Sequence, residues 1–240
     1  MEWICDLHGH FLPGMDDGCK TPQESLQVLQ SSYAKGVRRM FATPHYYPGE
    51  PVERFLERRA ESVRLLEEYI RQQGVTELPR ICLGAEVAYR PGISNEEQLD
   101  KLCLGNSRYL LLEMPFRRWG RAEEREVRKI GVNAGVTPVL AHIERYFDYQ
   151  EQGALQAVLE QDVLVQMNAE YVVGMATRAK ARKLLRSGVV HLLGSDCHNT
   201  QDRPPNLGDA LKILEKRRML PALSRLAQFS DEIFTEATEE

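Results

Sequence analysis

The amino-acid sequence predicts a single α/β domain over residues 1–240, built as a parallel barrel, and three observations carry that prediction. Short apolar, β-rich runs alternate with longer segments of helical period about seven times over. No internal repeat and no Pro/Gly/Ser-rich linker divides the chain. Nearly every predicted strand ends in a histidine or a carboxylate, the end at which barrels build their sites. An open doubly wound sheet would instead gather its site at one switch point between two strands.

The strands are expected at residues 3–7, 37–42, 80–84, 109–112, 137–141, 163–167 and 189–193. Thr21 reads as the N-cap of the first helix, with Pro22 in its first turn and Gly36 closing its end. Residues 53–73 carry Phe55, Val63, Leu66 and Ile70 on one apolar stripe, and Gly74 stops that helix. Further helices are expected at 121–134, 153–161, 177–187 and 206–217. The acidic, polar tail at 235–240 is expected to fray.

A hydrophobic fraction of 42% is enough for a sizeable buried core. The net charge of −4 leaves no basic field to hold nucleic acid, so an anionic substrate must be held locally, by metals or single arginines. Five cysteines (Cys5, Cys19, Cys82, Cys103, Cys197), an odd number without a CxxC pair, do not make a disulfide framework. They fit a reducing compartment. MEWICDLHGH lacks the basic-then-apolar pattern of a signal peptide, and no apolar run approaches the roughly 18 residues of a membrane span. A cytoplasmic protein is expected.

The first strand runs into Asp6-Leu7-His8-Gly9-His10, where i and i+2 point the same way and offer two imidazoles to one ion. The loop beyond adds Asp16 and Asp17. Later strands end in Thr43-Pro44-His45, Gly84-Ala85-Glu86, Leu112-Glu113, Ala141-His142 and Ser195-Asp196-Cys197-His198. Five of the six histidines thus stand at strand ends. Each piece alone has an ordinary explanation: a lone histidine is usually structural, and Asp16-Asp17-Gly18 is a passable turn. Their joint placement points to a metal centre. His191, inside a strand, reads as packing.

Imidazoles and carboxylates without thiolate suit manganese, iron, zinc or cobalt. About nine donors are too many for one ion, so two or three are implied, with a carboxylate bridging at least one pair.

These residues resemble the polymerase-and-histidinol-phosphatase (PHP) superfamily. More closely, they are similar to its protein tyrosine phosphatases encoded with bacterial capsule and exopolysaccharide genes. The resemblance runs through DLHGHFLPGMDDG, GVRRMFATPHYYPGE, GAE, YLLLEMPF, AHIERY, VQMNAEYVVG, GSDCHN and RPPNL, from residue 3 to about 208. It implies a distorted seven-stranded β/α barrel with three metals, usually manganese. By position, His8, His10, Glu86 and Asp196 would hold the first ion, and Glu86, Glu113 and His142 the second, Glu86 bridging. Asp17, His45 and His198 would hold the third. Arg145 and Arg203 match the family's phosphate-binding arginines. The implied substrate is a phosphotyrosine protein, a bacterial tyrosine kinase of capsule synthesis. Ile143 stands where a proline is common, and Asp202 precedes Arg203, where its carboxylate would compete for the guanidinium.

Such ions would hold a hydroxide for in-line attack on phosphorus, with Arg145 offsetting the charge that develops. A salt bridge from Arg145 to Glu144 or Asp148 is its ordinary alternative. A phenolate leaves with a pKa of about 10 and needs little protonation; no general acid stands out. Phe11, Tyr46, Tyr47, Tyr89, Phe116 and Trp119 fall in loops after strands, some in position to flank a phenol ring. Cys197 and Arg203 have the C-x5-R spacing of thiol-dependent phosphatases, but the intervening loop has no glycine to cradle phosphate. A small-molecule phosphoesterase such as a histidinol phosphatase is the second reading, and a catalytically silent metal-binding regulator the third. An amidohydrolase barrel would place a lysine after a strand, and none stands there.

Overall fold

The structure, a computed structural model, describes residues 4–47 and 49–239. Its strands are β1 (Arg39–Ala42), β2 (His45–Tyr46), β3 (Arg80–Leu83), β4 (Glu86–Ala88), β5 (Tyr109–Glu113), β6 (Thr137–Leu140), β7 (Leu164–Asn168) and β8 (Leu192–Gly194). The helices are α1 (Pro22–Ala34), α2 (Val52–Gln73), α3 (Arg121–Ala134), α4 (Gln152–Leu159), α5 (Ala169–Val173), α6 (Arg178–Ser187), α7 (Leu207–Lys216) and α8 (Leu220–Thr238). Every strand pairing among the described residues is parallel. A curled sheet in the order β2-β4-β5-β6-β7-β8 is the frame, and β1 pairs with β3 just upstream of it.

Past each of two expected strands, at 37–42 and 80–84, the chain breaks and then resumes as a second short strand. Pro44 has no N–H to give a ladder, and it separates β1 from β2. Gly84 and Ala85 separate β3 from β4 opposite that break. Hydrogen bonds carry the pairing across it, from Gly84 N–H to Ala42 O (2.8 Å) and from Glu86 N–H to Pro44 O (3.1 Å).

The strand expected at 3–7 is a larger departure. Trp3 lies outside the described residues, and the rest makes isolated bridges instead of a ladder: Asp6 with Met40, and Gly9 with Cys197. Side chains take the places of ladder partners. Gly9 N–H donates to Thr43 Oγ1 (3.0 Å), Cys5 N–H to Ser230 Oγ (2.5 Å), and Ser195 N–H to Asp6 Oδ1 (2.7 Å). Seven expected strands therefore become a six-stranded sheet, a separate pair and a bridging segment.

Side-chain alternation divides the core. Leu110 and Leu112 face the helices, whereas Tyr109 and Leu111 face inward with Leu7, Val139, Ala141 and Leu192. Ile233, Phe234 and Ala237 of α8 close that inner cluster. The tail expected to fray at 235–240 is thus helical as far as Thr238, with Ala237 buried and its carbonyl accepting from Asn106 N–H (3.1 Å). Burying a phenylalanine contributes about 2–3 kcal/mol, which outweighs the fraying tendency of a few polar residues. Gly105, at φ +60°, makes the contact possible, since a Cβ there would meet Ala237 O at 2.5 Å.

The other helices lie close to their expected bounds. Thr21 Oγ1 caps α1 by accepting from Glu24 N–H (3.2 Å), and Gly74 ends α2 in the left-handed region. Among the described residues, no helix is long and apolar enough to cross a membrane.

Candidate metal centre

All nine donors expected from the sequence meet at the C-terminal ends of the strands. Glu86, almost fully buried, is at their middle. Its Oε2 lies 3.1 Å from His8 Nε2, 3.2 Å from His10 Nε2 and 3.1 Å from His45 Nδ1. Its Oε1 lies 3.0 Å from His142 Nε2, which is also 3.3 Å from Glu113 Oε1. Asp196 Oδ1 stands 3.5 Å from both His8 Nε2 and His10 Nε2. Asp17 Oδ1 is 3.6 Å from His45 Nε2 and 3.3 Å from His198 Nε2.

Three sets of mutually close donors emerge: His8, His10 and Asp196; His45, Glu86 and Glu113; His10, Asp17, His45 and His198. These sets share members with the three carried over from the resemblance but are not identical to them. His10 takes part in two sets, and His45 turns one nitrogen to each of two.

The chemistry of this donor set fits cations. His8 Nε2 and His10 Nε2 face one another at 3.0 Å, a separation met either by a proton shared between them or by one cation that both hold. Donors around a tetrahedral ion, about 2.0–2.1 Å from it, lie ~3.3 Å apart, close to the separations seen here. Without metal, protons take the cations' place. Burial opposes a charge on His10, but hydrogen bonds to Asp16 and Glu86 outweigh it and lift its pKa to about 10. Burial likewise opposes ionisation of Glu86, yet the facing imidazoles hold it well below the usual carboxylate range.

A second layer aims the imidazoles. Asp16 Oδ2 accepts from His10 Nδ1 (2.7 Å) and from His45 N–H (2.9 Å), so Asp16 orients and Asp17 is the donor. Gln166 was not singled out from the sequence, yet it holds two donors. Its Oε1 accepts from His142 N–H (2.7 Å) and lies 3.3 Å from His8 Nδ1. Its Nε2 donates to Asn168 Oδ1 (2.9 Å), which fixes the amide's orientation and puts the His8 proton on Nδ1. Asn168 Nδ2 in turn donates to Asp196 Oδ2 (2.8 Å). The available signal was polar Gln166 and Asn168 alternating with apolar neighbours in a buried strand. Gln166→Leu keeps the bulk and removes the carbonyl, so metal affinity should fall about 10–100-fold with the fold intact; competition with a calibrated chelator measures it.

Backbone strain concentrates here. His142 (φ 33°) and Asp196 (φ 54°) occupy the left-handed region, at about 1–3 kcal/mol each. Gly194 permits a close approach, since a Cβ there would come within 2.6 Å of His8 Cβ.

Both arginines reach the cluster. Arg145 Nη2 and Arg203 Nη2 lie 2.6 and 2.7 Å from Asp196 Oδ2. Arg145 is therefore paired with a candidate ligand and not with Glu144 or Asp148. Arg203 also meets His198 Nε2 (2.6 Å) and lies 3.8 Å from Asp17, so Asp202 does not divert it. His191 packs, as expected, edge-on to Phe229, and its Nδ1 accepts from Val165 N–H (3.1 Å).

Cys197 is fully buried, and burial with nearby Asp6 pushes its thiol well above the ordinary value. A group so disposed is no thiolate nucleophile. Iodoacetamide applied to the folded protein should leave activity intact; rapid loss tracking alkylation of Cys197 would restore the thiol mechanism.

Among known proteins, tyrosine-protein phosphatase CpsB of Streptococcus pneumoniae is 30% identical over 224 residues, 89% of this chain and 90% of that protein. Tyrosine-protein phosphatase YwqE of Bacillus subtilis is 28% identical over 226 residues, covering 89% and 84%. A solved structure described as YwqE and CpsB, unique metal-dependent tyrosine phosphatases, matches with a TM-score of 0.82 at 24% identity, over 99% of this chain and 96% of that one. Histidinol phosphate phosphatase from Lactococcus lactis, solved with zinc, L-histidinol and phosphate, matches with a TM-score of 0.51 at 14% identity, over 90% and 93%. At these identities both structures speak to the fold alone. The family described as "Capsular polysaccharide synthesis, CpsB/CapC" matches residues 4–229. By that match, across almost the whole described fold, the chain belongs to the CpsB/CapC family.

Proposed function

We propose that this chain is a metal-dependent phosphatase that removes phosphate from tyrosine in proteins. The observation that carries the reading is the buried Glu86 carboxylate, met by imidazoles on both oxygens beside two arginines that share Asp196. His8, His10, Glu86 and Asp196 would hold one divalent ion, Glu86, Glu113 and His142 a second, and Asp17, His45 and His198 a third, manganese being the proposed metal. Bound ions would supply Lewis acidity and bring the pKa of water toward neutrality, giving phosphate ester hydrolysis a nucleophile at ordinary pH.

The chain's own residues do the rest. Asp16 and Gln166 hold His10 and His8 with Nε2 forward. Arg145 and Arg203 take the phosphoryl oxygens, for which a planar guanidinium fork is suited. A tyrosyl ester expels a phenolate with a pKa of about 10, so the absence of an obvious general acid is no obstacle. The sheet, closed through the segment at 4–10, is read as the distorted seven-stranded barrel. The substrate proposed is a bacterial tyrosine kinase of capsule synthesis. Five free, buried cysteines fit a reducing cytoplasm.

The test is a substrate panel on manganese-reconstituted protein: one peptide carrying phosphotyrosine or phosphoserine, and histidinol phosphate. Phosphotyrosine should show the highest kcat/KM. A preference for histidinol phosphate would replace this reading with a small-molecule phosphoesterase, and no hydrolysis at all would favour a silent regulator.

A further inference from the structure

The aromatic residues flagged in the loops separate sharply by burial. Phe11, Tyr46 and Trp119 are core residues, and Tyr89 is partly buried against the core. Tyr47 and Phe116 instead remain 52% and 42% exposed, and each is stacked on a donor imidazole. The Tyr47 ring lies 5.1 Å from His45 at 24°, and the Phe116 ring 5.7 Å from His142 at 25°. Those two imidazoles approach different oxygens of Glu86. One half-exposed aromatic face therefore stands on each flank of the bridging carboxylate.

Neither ring is loosely placed. Phe116 also stacks on Tyr146 (5.6 Å, 28°), whose hydroxyl accepts from Met114 N–H (2.9 Å), and Tyr146 is fully buried. Tyr47 is held by its stacking on His45. A core role accounts for one face of each ring. It leaves about half of each residue open to solvent beside the donors, with Tyr149, itself 47% exposed, 6.2 Å from the Phe116 ring.

We propose that Tyr47 and Phe116 form an aryl subsite that receives the ring of the substrate ester and selects aryl over alkyl phosphates. The inference deepens the phosphatase reading and rests on it. In an aryl phosphate the ester oxygen is bonded directly to the ring, so a phosphoryl group at Glu86 and Arg145 places the ring at the mouth, beside these two faces. A seryl phosphate brings only a methylene there. The ring contacts exist before and during reaction alike, so they act on KM more than on kcat.

The experiment compares phenylphosphonate with methylphosphonate, which share a head group and differ in the ring, by calorimetry on the manganese-loaded protein. Phenylphosphonate should bind about tenfold or more tightly than methylphosphonate. Tyr47→Ala and Phe116→Ala should each remove most of that preference, leave methylphosphonate affinity within about twofold, and leave metal content unchanged. Tyr47→Phe should keep it. On matched peptides, the same alanine variants should raise KM for phosphotyrosine and spare the slower phosphoserine reaction. Equal affinity for the two phosphonates in the parent protein, or equal losses of both in the variants, would overturn the subsite. A protein that prefers phenylphosphonate yet hydrolyses no phosphotyrosine would keep the subsite and refute the phosphatase reading.

Discussion

Glu86→Gln should leave a folded protein that has lost most of its metal and at least about a hundredfold in turnover of a phosphotyrosine peptide. The side chain is 1% exposed, and four imidazole nitrogens lie within 3.2 Å of its two oxygens. Glutamine keeps the shape but removes the negative charge that the proposed first and second ions would share. It also turns an N–H₂ donor toward nitrogens that have only lone pairs to offer a cation. Partners outside a metal's own ligands typically cost about 10–100-fold when lost, so loss of a ligand proposed to serve two ions is expected at or beyond the top of that range. Chelation should abolish activity in the parent protein and manganese should restore it. His191→Ala is the control, with normal metal content and normal turnover per folded molecule. Equal metal loss in both variants would move the centre away from Glu86.

Arg145→Ala should keep its metals and lose about 10²–10³ in kcat/KM. A guanidinium has no lone pair for a cation, so its contribution falls on the substrate's charge. Removing it does not orphan Asp196, because Arg203 and Asn168 still donate to Oδ2. Arg145→Lys should recover only part of the activity, keeping charge without the fork. Arg203→Ala differs in kind, since that side chain also engages His198. Its variant should change metal binding at Asp17, His45 and His198 as well as catalysis. Elemental analysis beside kinetics separates the two, and a metal-free but folded Arg145→Ala would end the phosphate-clamp assignment.

Most donors were legible because they follow an apolar run closely, and because HxH puts alternate side chains on one face of an extended chain; Asp17, in a loop, was legible only beside them. Helices with a long apolar stripe and a clear stop, such as α2 before Gly74, were legible for the same reason. The layer behind the donors was not, because Gln166 and Asn168 look like any polar residues until their partners are known. Nor was α8, whose acidic end conceals Ile233, Phe234 and Ala237 on one side. The first strand failed for a tertiary reason: the amides of Cys5 and Gly9 go to the side chains of Ser230 and Thr43, while those of Asp6 and His10 go to the carbonyls of Arg39 and Cys197, so no continuous ladder forms.

The bridging segment at 4–10 also bears on the order in which the molecule is made. His8 and His10 are made long before their partners across the seam, since the bond from Ser195 to Asp6 spans 189 positions. His10 N–H to Cys197 O and Asp196 N–H to His8 O close the same seam. Contacts of such separation form late, after most loop entropy has been lost. A nascent chain thus carries these two imidazoles without the backbone partners of this seam until residues 195–198 have been made. Tight metal binding at this centre then reports a chain made and folded at least as far as His198.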